Sequence, residues 1–217
     1  MSNEVAIWNY LKGKGFTDIA AAGIMGNLYA ESGLLPNNLQ NNYEASLGMN
    51  DFQYTQAVDN GTYQNFIRDA AGYGLAQWTF WTRKDGLLKL AHQRNRSVGD
   101  LDVQLDYLWS ELKEFGLVNK LNDCKSVRDA SNIMLFEFEK PLDTGSTVQN
   151  ARANWSQGYY DKYHNTTPVT SAPTLTVNEN YCVIAFAKFD DKAIAQAQLA
   201  NLRGYGFDGI VTSIHPC

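Results

Sequence analysis

Apolar residues recur at helical spacing over the first three quarters of the chain. Val5, Trp8 and Leu11, or Ile7 and Leu11, share a face within residues 4–12 before Gly13 and Gly15 interrupt, which predicts a short amphipathic helix with a glycine stop. Thr17 stands where a cap belongs, ahead of a small-residue helix over 18–33 in which Gly23 and Gly26 admit a second backbone at close range. Ala20, Ile24, Leu28 and Glu31 follow one another at offsets of four, four and three. A carboxylate therefore shares the face expected to be buried. Residues 34–72 are a polar insertion with turn signals at Pro36-Asn37-Asn38, Gly48 and Asn60-Gly61; its Leu39-Tyr43-Leu47 and Tyr54-Val58 spacings predict short helical pieces forming a lid or wall. Tyr73 to Thr79 is a compact apolar turn with one amide, Gln77, inside it. Three helices follow, over 83–93, 101–115 and 127–139, with Asp100 and Ser126 as N-caps and Pro141 as a stop, and an aromatic-rich helix over 149–163 closes an all-helical unit, residues 1–164.

The period then changes. Residues 165–177 are rich in Thr, Pro, Ser and Ala and read as a linker. Residues 178–217 read as strand, helix and strand, with Tyr181 to Phe189 as the first strand and Gly209 to Ile214 as the second. The fold class expected is mainly α, with a small βαβ segment at the end. So slight a segment packs on the first unit or on a second copy of itself.

The net charge of −5 argues against nucleic acid as a partner, because phosphate binding needs clustered Lys and Arg. No apolar run is long enough for a bilayer, and the start of the chain shows neither the basic head nor the apolar core of a secretion signal, so neither a membrane partner nor export by a leader is expected. Aromatic residues make up 12% of the chain and Asn and Gln abound, a pairing that suits the apolar faces and hydroxyl edges of sugars but serves ordinary cores as well. Cys124, Cys182 and Cys217 match no metal spacing and the three histidines do not cluster with them, so no metal and no cofactor is expected; free thiols in a reducing cytoplasm are the expected state. The Asn-X-Ser/Thr triplets at Asn60, Asn154 and Asn165 are discounted without a secretory route.

Glu31 is the candidate for chemistry. At the end of its helix the negative pole of the macrodipole disfavours an anion by about 0.3–1 kcal/mol. Burial acts in the same direction, and a carboxyl kept protonated is what a general acid requires. The alternative is a solvated residue just past the helix, partnered by a lysine. Asp51, Asp59 and Asp69 in the insertion are caps or surface charges, and at most one is a second catalytic carboxylate.

Glu31-Ser32-Gly33 closing a helix rich in Ala and Gly, followed by Gly74-Leu75-Ala76-Gln77-Trp78, resembles the paired motifs of lysozyme-like peptidoglycan-cleaving enzymes. With Gly23-Ile24-Met25-Gly26-Asn27-Leu28, Gly72-Tyr73 and Phe138-Glu139-Lys140-Pro141 added, the chain resembles the phage tail lysozyme family over roughly residues 4–164; Lys140 stands where an arginine is common. The resemblance implies a lysozyme-like helical fold and cleavage of the β-1,4 bond between N-acetylmuramic acid and N-acetylglucosamine, with Glu31 as the general acid. By the same resemblance Gln77 lies beside the substrate, Ser32 belongs to the motif at the helix end, Tyr73 and Trp78 are wall or core residues, and Tyr159 or Tyr160 matches a late-helix tyrosine of transglycosylases or packs in the core.

The fate of the oxocarbenium-like intermediate is open at this level. Inversion needs a second carboxylate roughly 6.5–9.5 Å from the first, retention through a nucleophile about 5–5.5 Å, and a transglycosylase needs Glu31 alone. Residues 178–217 resemble the first half of a SPOR domain, a peptidoglycan-binding fold, and two chains completing one sheet would make a homodimer. The implied protein is an endolysin that waits in the host cytoplasm until lysis and then acts on bacterial peptidoglycan. From a different class, the rival is a non-catalytic wall-binding or tail structural module that has kept the fold.

Overall fold

The computed structural model describes residues 2–165; the linker beyond Asn165 and the βαβ segment read at 178–217 lie outside them. The described part is mainly helical, and its extended pairing is limited to isolated bridges of Tyr73 with Leu39 and with Trp78. Among the described residues no helix is long and apolar enough to cross a membrane.

Helix α1, Asn3–Gly13, leads into α2, Asp18–Ser32. Thr17 caps α2 as its sequence position predicts, its Oγ1 accepting from the Ala20 amide at 3.1 Å. At the other end Gly33 takes the left-handed conformation, φ 62°, which stops the helix one residue after Ser32. The expectation of a single buried face on α2 is too narrow: every residue from Ala20 to Leu28 is buried, because α1, α8 and α9 surround the helix. Small side chains make that possible. A Cβ on Gly23 would lie 2.5 Å from Ala130 Cβ, and one on Gly26 would lie 2.5 Å from Ser156 N. The obstruction at Gly26 is backbone, which cannot swing aside, so Gly26→Ala must part α2 from α9. Its expected cost is about 1–3 kcal/mol, read as a lower urea midpoint at unchanged slope.

The insertion folds as two short helices, α3 (Asn41–Leu47) and α4 (Asp51–Asp59), the latter started by a reciprocal capping box between Asn50 and Gln53. It is tied to α5 (Trp81–Gln93) by a buried ion pair between Asp69 and Lys84, whose ammonium also donates to Ala71 O at 2.8 Å. Helix α6, Leu101–Glu114, is capped by Asp100 and buries Leu105, Leu108 and Leu112. The short α7, Leu117–Asn122, follows Gly116.

The continuous helix expected over 127–139 is divided. Helix α8 runs Val127–Ile133, capped by Ser126, and Met134–Glu139 is wound as a π-helix that ends at Lys140 in the left-handed region, φ 52°. The wider winding inserts a residue into the turn and re-aims the side chains after it. Phe138 and one carboxyl oxygen of Glu139 are thereby buried. Helix α9, Ser146–Tyr163, lies along α2 and closes the core.

Candidate active site

Helices α2 and α9 run antiparallel in a register fixed by their contacts. Ser156 meets Gly26 and Gly23, and Arg152, one turn earlier on α9, meets Asn27 and Glu31. Arg152 Nη1 donates to Asn27 Oδ1 at 3.1 Å while Nη2 pairs with Glu31 Oε1. Asn27 is itself held, its Nδ2 donating to Gly23 O at 2.9 Å and to Ser131 O on α8 at 3.1 Å. Three helices thus fix one guanidinium. The partner of Glu31 is an arginine on the late helix rather than the lysine that a solvated residue would have found. With its side chain 18% exposed, Glu31 is neither sealed in the core nor free in solvent.

It opens on a cleft of about 450 Å³. Glu31 and Ser32 form one side, and Asn38, Gln40, Asn42 and Gln77 line the rest. The Tyr73–Trp78 turn brings Gln77 there. Tyr73 and Trp78 exchange backbone hydrogen bonds at 3.2 and 3.0 Å, and Gly74 takes φ 76°. The buried Gln104 clamps the turn, accepting from Leu75 N at 2.9 Å and donating to Val98 O at 2.8 Å. Ser32 Oγ lies 2.9 Å from Leu75 O and 3.1 Å from Leu28 O, which stitches the end of α2 to the same turn. Gln77 itself sits at φ 45°, a conformation that costs a non-glycine residue about 1–3 kcal/mol and persists where the surroundings enforce it. Its Nε2 is anchored to Asn38 Oδ1 at 2.9 Å and Asn38 O at 3.1 Å, and no described group donates to its Oε1.

Of the residues singled out from the sequence, Glu31, Ser32 and Gln77 are brought together at this cleft. Tyr73 and Trp78 are fully buried and cannot form its wall; Tyr73 Oη shares a hydrogen bond with Thr55 Oγ1 at 2.6 Å, and Trp78 Nε1 donates to Glu111 Oε2 at 2.7 Å. They are core residues that shape the turn. Tyr160 stacks on His164 with centroids 4.9 Å apart, two turns beyond Arg152 and toward the start of α2, away from Glu31. The three aspartates are engaged elsewhere. Asp51 accepts from Leu39 N at 2.8 Å, Asp59 from Val98 N at 2.8 Å, and Asp69 from Tyr54 Oη at 2.5 Å beside Lys84. None of the three lines the cleft.

Four polar residues at the site were not picked out as functional: Asn27, Gln104, Glu139 and Arg152. Asn27 and Glu139 fall inside the motifs quoted above, which was the available signal; Gln104 and Arg152 had none. Glu139 is the unusual one. Its Oε1 is buried with no hydrogen-bond partner. Burial first, and then the negative charge of Glu31, push its carboxyl well above the ordinary 4.5, against the pull of Arg83 and Arg152.

The family model of phage tail lysozymes matches residues 2–163, which takes in every helix described above. Morphogenesis protein 1 of Bacillus phage B103 is 24% identical over 161 residues, covering 70% of this chain and 38% of that protein. The chain spans less than two fifths of that relative's length. On a match running through every helix among the described residues and both halves of the cleft, the chain belongs to the phage tail lysozyme family.

Proposed function

We propose that this domain cleaves the β-1,4 bond between N-acetylmuramic acid and N-acetylglucosamine in bacterial peptidoglycan, with Glu31 protonating the glycosidic oxygen. The observation that carries the reading is the facing of a half-sheltered carboxylate and a strained, anchored carboxamide across one cleft. A glycan strand offers hydroxyls and N-acetyl groups in place of charge, and the cleft answers with amides: Gln77 Oε1 accepts an N–H or O–H from a bound sugar, and Asn38 and Asn42 stand beside it. Peptidoglycan from a Gram-positive wall, incubated with the chain and followed by turbidity, tests the reading; clearance that depends on Glu31 supports it, and an inert protein of intact fold removes it.

Two observations favour further readings. Among the described residues Glu31 is the one carboxylate lining the cleft, which favours the transglycosylase course, where one carboxyl acts first as acid and then as base toward the sugar's own hydroxyl. Anhydro sugar ends in the digest mark that course, and hydrated reducing ends mark hydrolysis. The name of the Bacillus phage B103 relative, a morphogenesis protein, favours a place in the virion over that of a free lysin. Immunodetection of the chain in purified particles separates the two. Residues 178–217, proposed as a wall-binding piece, supply another expectation: deleting 166–217 weakens co-sedimentation with cell walls, and an unchanged bound fraction contradicts that role.

A further inference from the structure

Arg152 is a buried cation on α9 that reaches the carboxylate lining the cleft. Its guanidinium is divided between two acceptors on α2, one turn apart. Nη1 donates to Asn27 Oδ1 at 3.1 Å, and Nη2 donates to Glu31 Oε1. Residues four apart share one face of a helix, so a planar fork laid along α2 spans both. The Asn27 end of the span is rigid. Its Nδ2 donates to Gly23 O at 2.9 Å, to Ser131 O at 3.1 Å and to Ser131 Oγ at 3.2 Å, so the amide nitrogen is committed to backbone carbonyls and the oxygen faces Arg152. The register of α9 is fixed as well, where Gly26 meets Ser156 and Ser156 Oγ donates to Arg152 O at 2.9 Å. Glu31 stands at the open end. Among the described residues the hydrogen bond and the ion pair of its carboxyl both run to Arg152, and both at Oε1.

We propose that Arg152 is the positioning residue of Glu31: anchored on Asn27, it holds Oε1 and leaves Oε2 as the single oxygen that gives a proton to the glycosidic oxygen. The proposal rests on Glu31 being the acid. An oxygen that accepts from the guanidinium has no place for a proton of its own on that side, so the acidic proton sits on Oε2. Orientation matters here as much as identity, because a shift of about 1 Å in a reacting group costs on the order of a hundredfold in rate. In the transfer the O–H bond breaks at Oε2 and one forms at the leaving oxygen, while Arg152 keeps every proton. On the transglycosylase course the same Oε2 takes a proton back from the sugar hydroxyl, which requires that the carboxyl not turn between the two steps. A fork fixed at its far end in the core supplies that constraint.

Soluble, peptide-free glycan strands separate binding from chemistry. Arg152→Ala is expected to lower kcat about 10–100-fold, with KM nearly unchanged, so that kcat and kcat/KM fall together. Guanidinium ion, added far below the concentrations that unfold the chain, restores part of kcat in that variant, and methylammonium at equal concentration does not. Arg152→Lys keeps the charge, yet one ammonium cannot span Asn27 and Glu31 as a planar fork does, so it regains little. Asn27→Ala lowers kcat in the parent and has no further effect on kcat in Arg152→Ala, because its contribution runs through the guanidinium. Ser156→Ala is the control for the seam itself: it removes the hydrogen bond to Arg152 O, lowers stability and keeps kcat. Parental kcat in folded Arg152→Ala or Arg152→Lys, or a loss that guanidinium leaves untouched, overturns the proposal.

Nitrogen NMR of labelled arginine reads the parent itself, which covers the case of a variant that fails to fold. An Arg152 side chain held at both ends shows separate Nη1 and Nη2 resonances, and Glu31→Gln shifts the Nη2 signal. A single averaged signal contradicts the fork. Failure of the underlying reading is distinct: Glu31→Gln that cleaves as the parent does removes the acid, whereas cleavage that depends on Glu31 and not on Arg152 removes the positioning alone.

Discussion

Glu31→Gln is expected to lower glycan cleavage by about 10²–10⁴-fold, the range spanned by a positioned general acid, with the protein remaining folded. The substituted amide is isosteric and its oxygen still accepts from Arg152, which keeps the Asn27–Arg152 contact between α2 and α9 intact. What it lacks is a proton that can leave. The loss belongs in the chemical step, with substrate affinity nearly unchanged, because the amides around the cleft are untouched. Equal losses in affinity and rate would point to a collapsed cleft.

Lys84→Ala produces the largest expected loss of stability, about 3–5 kcal/mol, the cost of stranding one member of a buried ion pair. The Lys84 side chain is 1% exposed and that of Asp69 is 6% exposed. Removing the ammonium leaves Asp69 with the hydroxyls of Tyr54 and Tyr63, at 2.5 and 2.9 Å, and a void in place of the lysine stem. Asp69→Asn in the same background recovers much of the loss, since it withdraws the uncompensated charge. Denaturant unfolding of the two single variants and the double variant measures the coupling. The cycle also bears on mechanism: Asp69 does not line the cleft, so folded Asp69→Asn keeps its cleavage rate, whereas a second catalytic carboxylate at this position would not tolerate the change.

Helices α1, α2, α5, α6 and α9 were legible because each carries its own start signal or apolar period; Thr17, Asp100 and Ser126 all cap where their positions indicate. Helix α7 was not, since six residues after Gly116 hold too few apolar positions to display a period. The π-helix was invisible for a different reason. The pattern over 127–139 reports which residues are apolar, and the change of hydrogen-bond register after Ile133 leaves no trace in it.

The same contrast holds at the cleft. The Glu31–Gln77 pairing followed from two motifs, but Tyr73 and Trp78 were open between wall and core because an aromatic side chain looks the same in either place; burial decides for the core. Arg152 lay on a helix whose aromatic residues drew the eye, and its role exists through a crossing of α2 and α9 that no local spacing encodes. Arg152 is thus set beside Glu31 by tertiary packing. One carboxyl oxygen of Glu139 is buried at the end of the π-turn, which the sequence pattern does not display.

The most direct measurement is mass spectrometry of peptidoglycan digested by the parent chain and by Glu31→Gln under the same conditions. The parent is expected to release soluble disaccharide-containing fragments with new N-acetylmuramic acid ends, anhydro or hydrated, and the variant at least about a hundredfold less of them. Fragments cut in the peptide stems alone, or the same glycan fragments from both proteins, would contradict this expectation.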